Sequence, residues 1–77
     1  MNELREWEKA YNCPYGTLVL HTEDRTLART MSKRKSLSGK MIYSKDGKVV
    51  AWDLIFPKKA RKTYNRRLKK RLLAQCE

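Results

Sequence analysis

Asp46-Gly47 sits between two stretches rich in β-forming residues, Lys40-Met41-Ile42-Tyr43-Ser44-Lys45 and Lys48-Val49-Val50-Ala51-Trp52-Asp53-Leu54-Ile55-Phe56. An Asp-Gly pair suits the positive φ angles of a type I′ turn, whose twist matches that of two antiparallel strands. A hairpin here commits the chain to an antiparallel sheet. Pairing outward from a two-residue loop sets Tyr43 against Val50 and Met41 against Trp52, with Leu54 and Phe56 continuing the same side. On the other side Lys40 falls opposite Asp53, an opposite-charge cross-strand pair. A three-residue loop would put Lys40 beside Trp52 and Gly39 beside Asp53. The two-residue register sorts apolar from polar better, so it is the one expected.

Around this hairpin the rest of the chain reads as follows. Asn2 is placed to cap a helix, with Glu3 and Glu6 in the first turn and Leu4, Trp7 and Tyr11 on one face. Asn12-Cys13-Pro14-Tyr15-Gly16 ends that helix, because Pro14 disfavours helical geometry before it. Thr17-Leu18-Val19-Leu20-His21 reads as a short strand. Thr22 is a cap for a brief helix, with Leu27 and Met31 turned inward, which dissolves into a flexible basic loop over 32–39. Pro57 closes the last strand and suits the first turn of a helix, and no further Gly or Pro interrupts the chain from Lys58 to Cys76. Ala60, Tyr64, Leu68 and Leu72 recur every four residues and span an arc of about 120°. Lys58, Lys59, Lys62, Arg66, Lys69 and Lys70 fall in the opposite arc, while Arg61, Arg67 and Arg71 flank the apolar stripe.

The expected fold is α+β, a single small domain over 1–77. It has an N-terminal helix, a three-stranded antiparallel sheet with an Asp-Gly hairpin, and a long basic C-terminal helix packed on the sheet. Its core would be Leu4, Trp7, Leu18, Leu20, Met41, Tyr43, Val50, Trp52, Leu54, Tyr64, Leu68 and Leu72.

Charge then narrows the function. The 77 residues hold 19 Lys and Arg against 8 Asp and Glu, a net +11. In the first 24, Arg5 and Lys9 stand against Glu3, Glu6, Glu8, Glu23 and Asp24, whereas residues 25–76 set 17 basic side chains against only Asp46 and Asp53. A hydrophobic content of 40% still supports a folded core. Self-repulsion on this scale has a stability cost, and a polyanionic partner is its simplest offset.

Enzyme templates fail. The chain is short for an enzyme with its own cofactor fold. The single His21 has no nucleophile at recognisable spacing, and no two carboxylates form an acid–base couple. Ser38-Gly39-Lys40 echoes the end of a P-loop, but Arg34 stands where the first Gly belongs and Met41 where Ser or Thr belongs. Cys13, His21 and Cys76 lack zinc-ligand spacing, so neither a metal nor a cofactor is expected. Two widely spaced cysteines read as free thiols. No apolar run approaches the roughly 20 residues that span a bilayer, and the acidic N-terminus carries no signal-peptide core. A cytoplasmic protein without membrane contact is the expectation.

What remains is a basic surface in two blocks. The helical block comprises Lys58, Lys59, Lys62, Arg66, Lys69 and Lys70, and the loop block comprises Lys33, Arg34, Lys35 and Lys40. Both suit phosphate contacts, with counterion release supplying most of the affinity. The order helix, three strands, helix, with Lys58-Lys59-Ala60 opening the last helix, resembles the double-stranded-RNA-binding domain. The resemblance implies that Lys58, Lys59 and Lys62 contact phosphates across the major groove. The chain departs from that family in its long 23–38 connection and in lacking an Ala-rich face on the last helix. The expectation is a non-enzymatic nucleic-acid-binding or regulatory protein, acting on DNA or RNA. The competing expectation is a small effector, of the kind phages and mobile elements encode, that docks on an acidic protein or a nucleoprotein complex.

Overall fold

Both turn residues take up the left-handed geometry that a type I′ hairpin needs, Asp46 at φ 53° and Gly47 at φ 77°. The computed structural model describes residues 2–8 and 13–76. Its elements run β1 (Glu3–Trp7), β2 (Thr17–Thr22), α1 (Arg25–Ser32), β3 (Gly39–Lys45), β4 (Lys48–Pro57) and α2 (Lys62–Leu73). The strands form one four-stranded antiparallel sheet in the order β1-β2-β4-β3. Over the described residues the protein is therefore α+β with two helices and four strands, which overturns the expected N-terminal helix over a three-stranded sheet.

The N-terminal correction has a physical cause. Leu18, Val19 and Leu20 are all fully buried, so β2 is an interior strand and needs a hydrogen-bonding neighbour on each side. Glu3–Trp7 supplies the second neighbour, from Glu3 opposite His21 to Trp7 opposite Thr17. A helix this short would be marginal on its own, and the ladder outweighs it. Asn2 caps nothing here. Its amide donates to the carbonyl of Gln75 and its oxygen accepts from Thr22 Oγ1 at 2.6 Å, so it buckles β1 to the end of α2 and to β2. The part of the expected helix over 9–12, Tyr11 included, lies outside the described residues.

The hairpin register holds only at the tip. Lys45 pairs with Lys48 and Ser44 with Val49, but Tyr43 then pairs with Ala51. Val50 is an extra residue in β4, a β-bulge, and it moves every later pair by one. Ile42 now faces Trp52, Met41 faces Asp53, and Lys40 faces Leu54 where Asp53 had been expected. Three expected core residues are consequently exposed, Met41 and Tyr43 at 39% and Val50 at 45%.

Both helices lie on one face of the sheet. Leu18, Leu20, Leu54 and Phe56 form its inner surface and pack with Met31 of α1 and Leu68 and Leu72 of α2. Leu4, Leu27, Trp52 and Tyr64 pack around this cluster, half-buried. The cap of α1 is Asp24, whose carboxylate accepts from the N–H groups of Thr26 and Leu27; Thr22 instead accepts from the Asp24 N–H. At the other end, Pro57 closes β4 opposite Thr17 and does not open a helix. The chain crosses 58–61 as a connection, clamped by Asn65, which accepts from the Lys59 N–H and donates to the Lys59 carbonyl. Lys58, Lys59 and an exposed Ala60 thus precede α2, and the likeness to the double-stranded-RNA-binding domain loses both its first helix and its basic helix start.

Gly16, at φ +90°, closes the β1–β2 connection. A Cβ there would stand 2.7 Å from the Trp7 carbonyl oxygen, a position only glycine tolerates.

The register separates two substitutions. Leu54→Ala removes a fully buried side chain and lowers stability by about 2–5 kcal/mol in urea unfolding. Val50→Ala, in the exposed bulge, changes it by less than about 0.5 kcal/mol. A large loss at Val50 would restore the unbulged register.

Candidate nucleic-acid interface

Three concavities on the helical side of the sheet are lined by cations. The first lies between α1 and the hairpin and has a volume of about 520 Å³. Arg25, Arg29 and Lys33 stand four residues apart along α1 and its C-cap, so they form a row on one wall. Lys40 of β3 contributes a fourth cation, and Val49 and Trp52 of β4 add apolar surface. In a regular strand, residues three apart point to opposite faces. The bulge at Val50 changes that phase and lets Val49 and Trp52 line the same groove.

The second concavity brings the two expected basic blocks together. Arg34, Lys35 and Ser36 of the α1–β3 connection meet Lys59, Tyr64 and Arg71. The loop is pinned beside α2 by Leu37, which packs on the core, and by the Ser38 N–H, which donates to the Ile55 carbonyl at 2.9 Å. The third shares Lys59 and Tyr64 with it and adds Arg61, Thr63 and Arg67, so the two make one continuous basic surface. Lys59 Nζ lies 4.6 Å from the centroid of the Tyr64 ring, a cation–π contact at its middle. No described residue lining any of the three is acidic.

The ten expected site residues therefore divide. Arg34, Lys35 and Lys59 share one concavity, and Lys33 and Lys40 share another. Lys62, Arg66 and Lys70 are exposed on α2 and line neither. Lys58 and Lys69 are both paired with Glu6 of β1, Lys69 at 3.3 Å. The hydrogen bond from Lys58, helped by Lys69, holds the Glu6 carboxyl below the ordinary glutamate range. Sequence reasoning missed Arg25, Arg29, Arg61, Arg67 and Arg71. The signal for the first two was the spacing of Arg25, Arg29 and Lys33, which continues one helical face beyond Ser32.

The opposite face of the sheet carries a different polar cluster. Asp53, 2% exposed, accepts from the Tyr43 hydroxyl at 2.6 Å and lies 2.6 Å from His21 Nδ1. The three side chains come from β3, β4 and β2, so one buried carboxylate ties three strands together. Its desolvation is offset by these two hydrogen bonds. Tyr43, expected in the core, is committed to this cluster.

Both cysteines are free thiols; Cys13 Sγ contacts the Lys58 carbonyl at 3.0 Å, and burial pushes the Cys76 thiol up. Among the described residues, no helix is long and apolar enough to cross a membrane, and no three His, Cys, Asp or Glu gather as metal ligands. Comparison with protein-family models, curated proteins and solved structures gives no match.

Two outcomes follow from these pairings. A carboxyl held low in the folded state stabilises above its unfolded pKa, and that contribution is lost as pH falls through the folded value. Glu6→Gln therefore lowers the thermal midpoint at neutral pH, and the gap from the parent closes on acidification through and below the carboxylate range. Tyr43→Phe removes one hydrogen bond to the buried carboxylate and costs about 1.5–3 kcal/mol in denaturant unfolding. A neutral result would mean the hydroxyl is not engaged.

Proposed function

We propose that this protein is a small, non-enzymatic nucleic-acid-binding protein that holds phosphates on the helical side of its sheet. The observation that carries this reading is the meeting of Arg34 and Lys35 with Lys59 and Arg71 around Tyr64, with no acidic residue among the described lining. Four cations drawn from three separate segments repel one another, and a polyanion relieves that cost. Ser36 adds a hydroxyl of the kind that commonly contacts phosphate oxygens. A regulatory role inside the cell accords with the two free thiols.

A second reading, a small effector docking on an acidic protein, draws on the hairpin. There Ile42, Val49 and Val50 are exposed together, with Lys45 and Lys48 at the tip. The two readings separate by what the protein retains from a nuclease-treated extract.

Fluorescence anisotropy with duplex DNA, duplex RNA and single strands tests the first reading. If roughly six to ten phosphates are contacted, binding weakens about 10³–10⁵-fold between 50 and 200 mM salt. Arg34→Glu, Lys35→Glu and Arg71→Glu combined reduce affinity and flatten the salt slope while the circular dichroism spectrum is kept. Absent binding at low salt, or binding indifferent to salt, removes this reading.

A further inference from the structure

We propose that the groove between α1 and the hairpin is a single-strand site, in which a nucleobase stacks on the Trp52 indole and the adjoining phosphates lie along Arg25, Arg29 and Lys33. This inference rests on the nucleic-acid reading and specifies the form of nucleic acid that the second groove, on its charge alone, does not.

The groove joins two kinds of surface that duplex phosphates alone would not use together. Its α1 wall is a row of three cations four residues apart, about 6 Å per step along the helix axis. Lys40 faces them from β3. Between these charges the hairpin contributes Trp52 and Val49, and Ile42, the cross-strand partner of Trp52, extends the apolar strip at 53% exposure. A duplex offers its outer phosphates to such a groove but keeps its base faces stacked inside. A single strand offers both, and aromatic platforms within cationic grooves bind it with little dependence on sequence. The bulge at Val50 supports the same conclusion, because it brings Val49 round to the side of Trp52. Trp52 is also braced, half-buried and packed on the core cluster, so the platform does not have to be ordered when a strand arrives. The recognised groups are a base face and its flanking phosphates, which DNA and RNA share.

The test uses the full chain carrying Trp7→Phe, which leaves Trp52 as the one indole in the sequence. It is titrated at low salt with oligo(dT), oligo(U) and a duplex, each of about 15 nucleotides or base pairs, a length in the range of single-strand sites. The expected result is quenching of Trp52 by the single strands and none by the duplex. Trp52→Ala then weakens single-strand binding roughly 5- to 150-fold and leaves duplex binding unchanged. Because Trp52 also packs on the core, Arg25→Gln with Arg29→Gln provides a second variant at exposed positions, expected to weaken single-strand binding with the fold intact. The oligo(dT) and oligo(U) arms establish whether one sugar is preferred. Duplex binding as tight as single-strand binding, with the indole unquenched, overturns this inference and leaves the nucleic-acid reading standing. No binding to any of the three overturns both.

Discussion

A β-strand shows its side chains to alternate faces, so one additional residue in β4 exchanges the faces of everything on the far side of it. Val50 is that residue. Because Ala51 and not Val50 pairs with Tyr43, the inner face of the hairpin becomes Ile42 with Trp52 and Lys40 with Leu54. The outer face becomes Tyr43 and Met41 beside Ala51 and Asp53. The same shift lets the Tyr43 hydroxyl reach the Asp53 carboxylate and puts Lys40 on the helical side, where it lines the groove opposite Arg25 and Arg29. A regular ladder would have separated both sets.

Charge follows the same division. The helical side carries the lined grooves of Arg and Lys, while the polar centre of the other side is the self-contained Asp53 cluster. The acidic N-terminal segment answers little of the basic excess. Glu3 is spent on Arg5 at 3.3 Å, and Glu6 lies at the sheet edge between Lys58 and Lys69. The cations left over include those on α1, on the 33–36 turn and on the loop-facing flank of α2. That surface carries the proposed function.

Some of this was legible before any fold was known. Asp46-Gly47 specified the turn, since few pairs tolerate two successive positive φ angles. Tyr64, Leu68 and Leu72 specified the inward face of α2 by their spacing, and Leu27 and Met31 that of α1. Arg34 and Lys35 belonged to a basic loop. Their nearness to Lys59 and Arg71 was not legible, because it depends on where Leu37 and Ser38 anchor that loop. Leu4 and Trp7, three apart, share a face on a helix but fall on opposite faces of a strand, so local spacing favoured the helix and the strand state was decided by β2.

The amino-acid sequence by itself determined the local geometry: the hairpin turn, the capped α1, the amphipathic α2 and the concentration of cations after residue 24. Each depends on contacts within a few residues, where backbone preference and side-chain period decide. Only the tertiary structure decided the strand state of Glu3–Trp7, the bulge at Val50, the Asp53 cluster and the pairing of Arg25, Arg29 and Lys33 with Trp52. The reason is that a buried strand must satisfy its backbone on both sides and its side chains on both faces at once. That demand is met by whichever distant segments fit, and local patterning does not rank them.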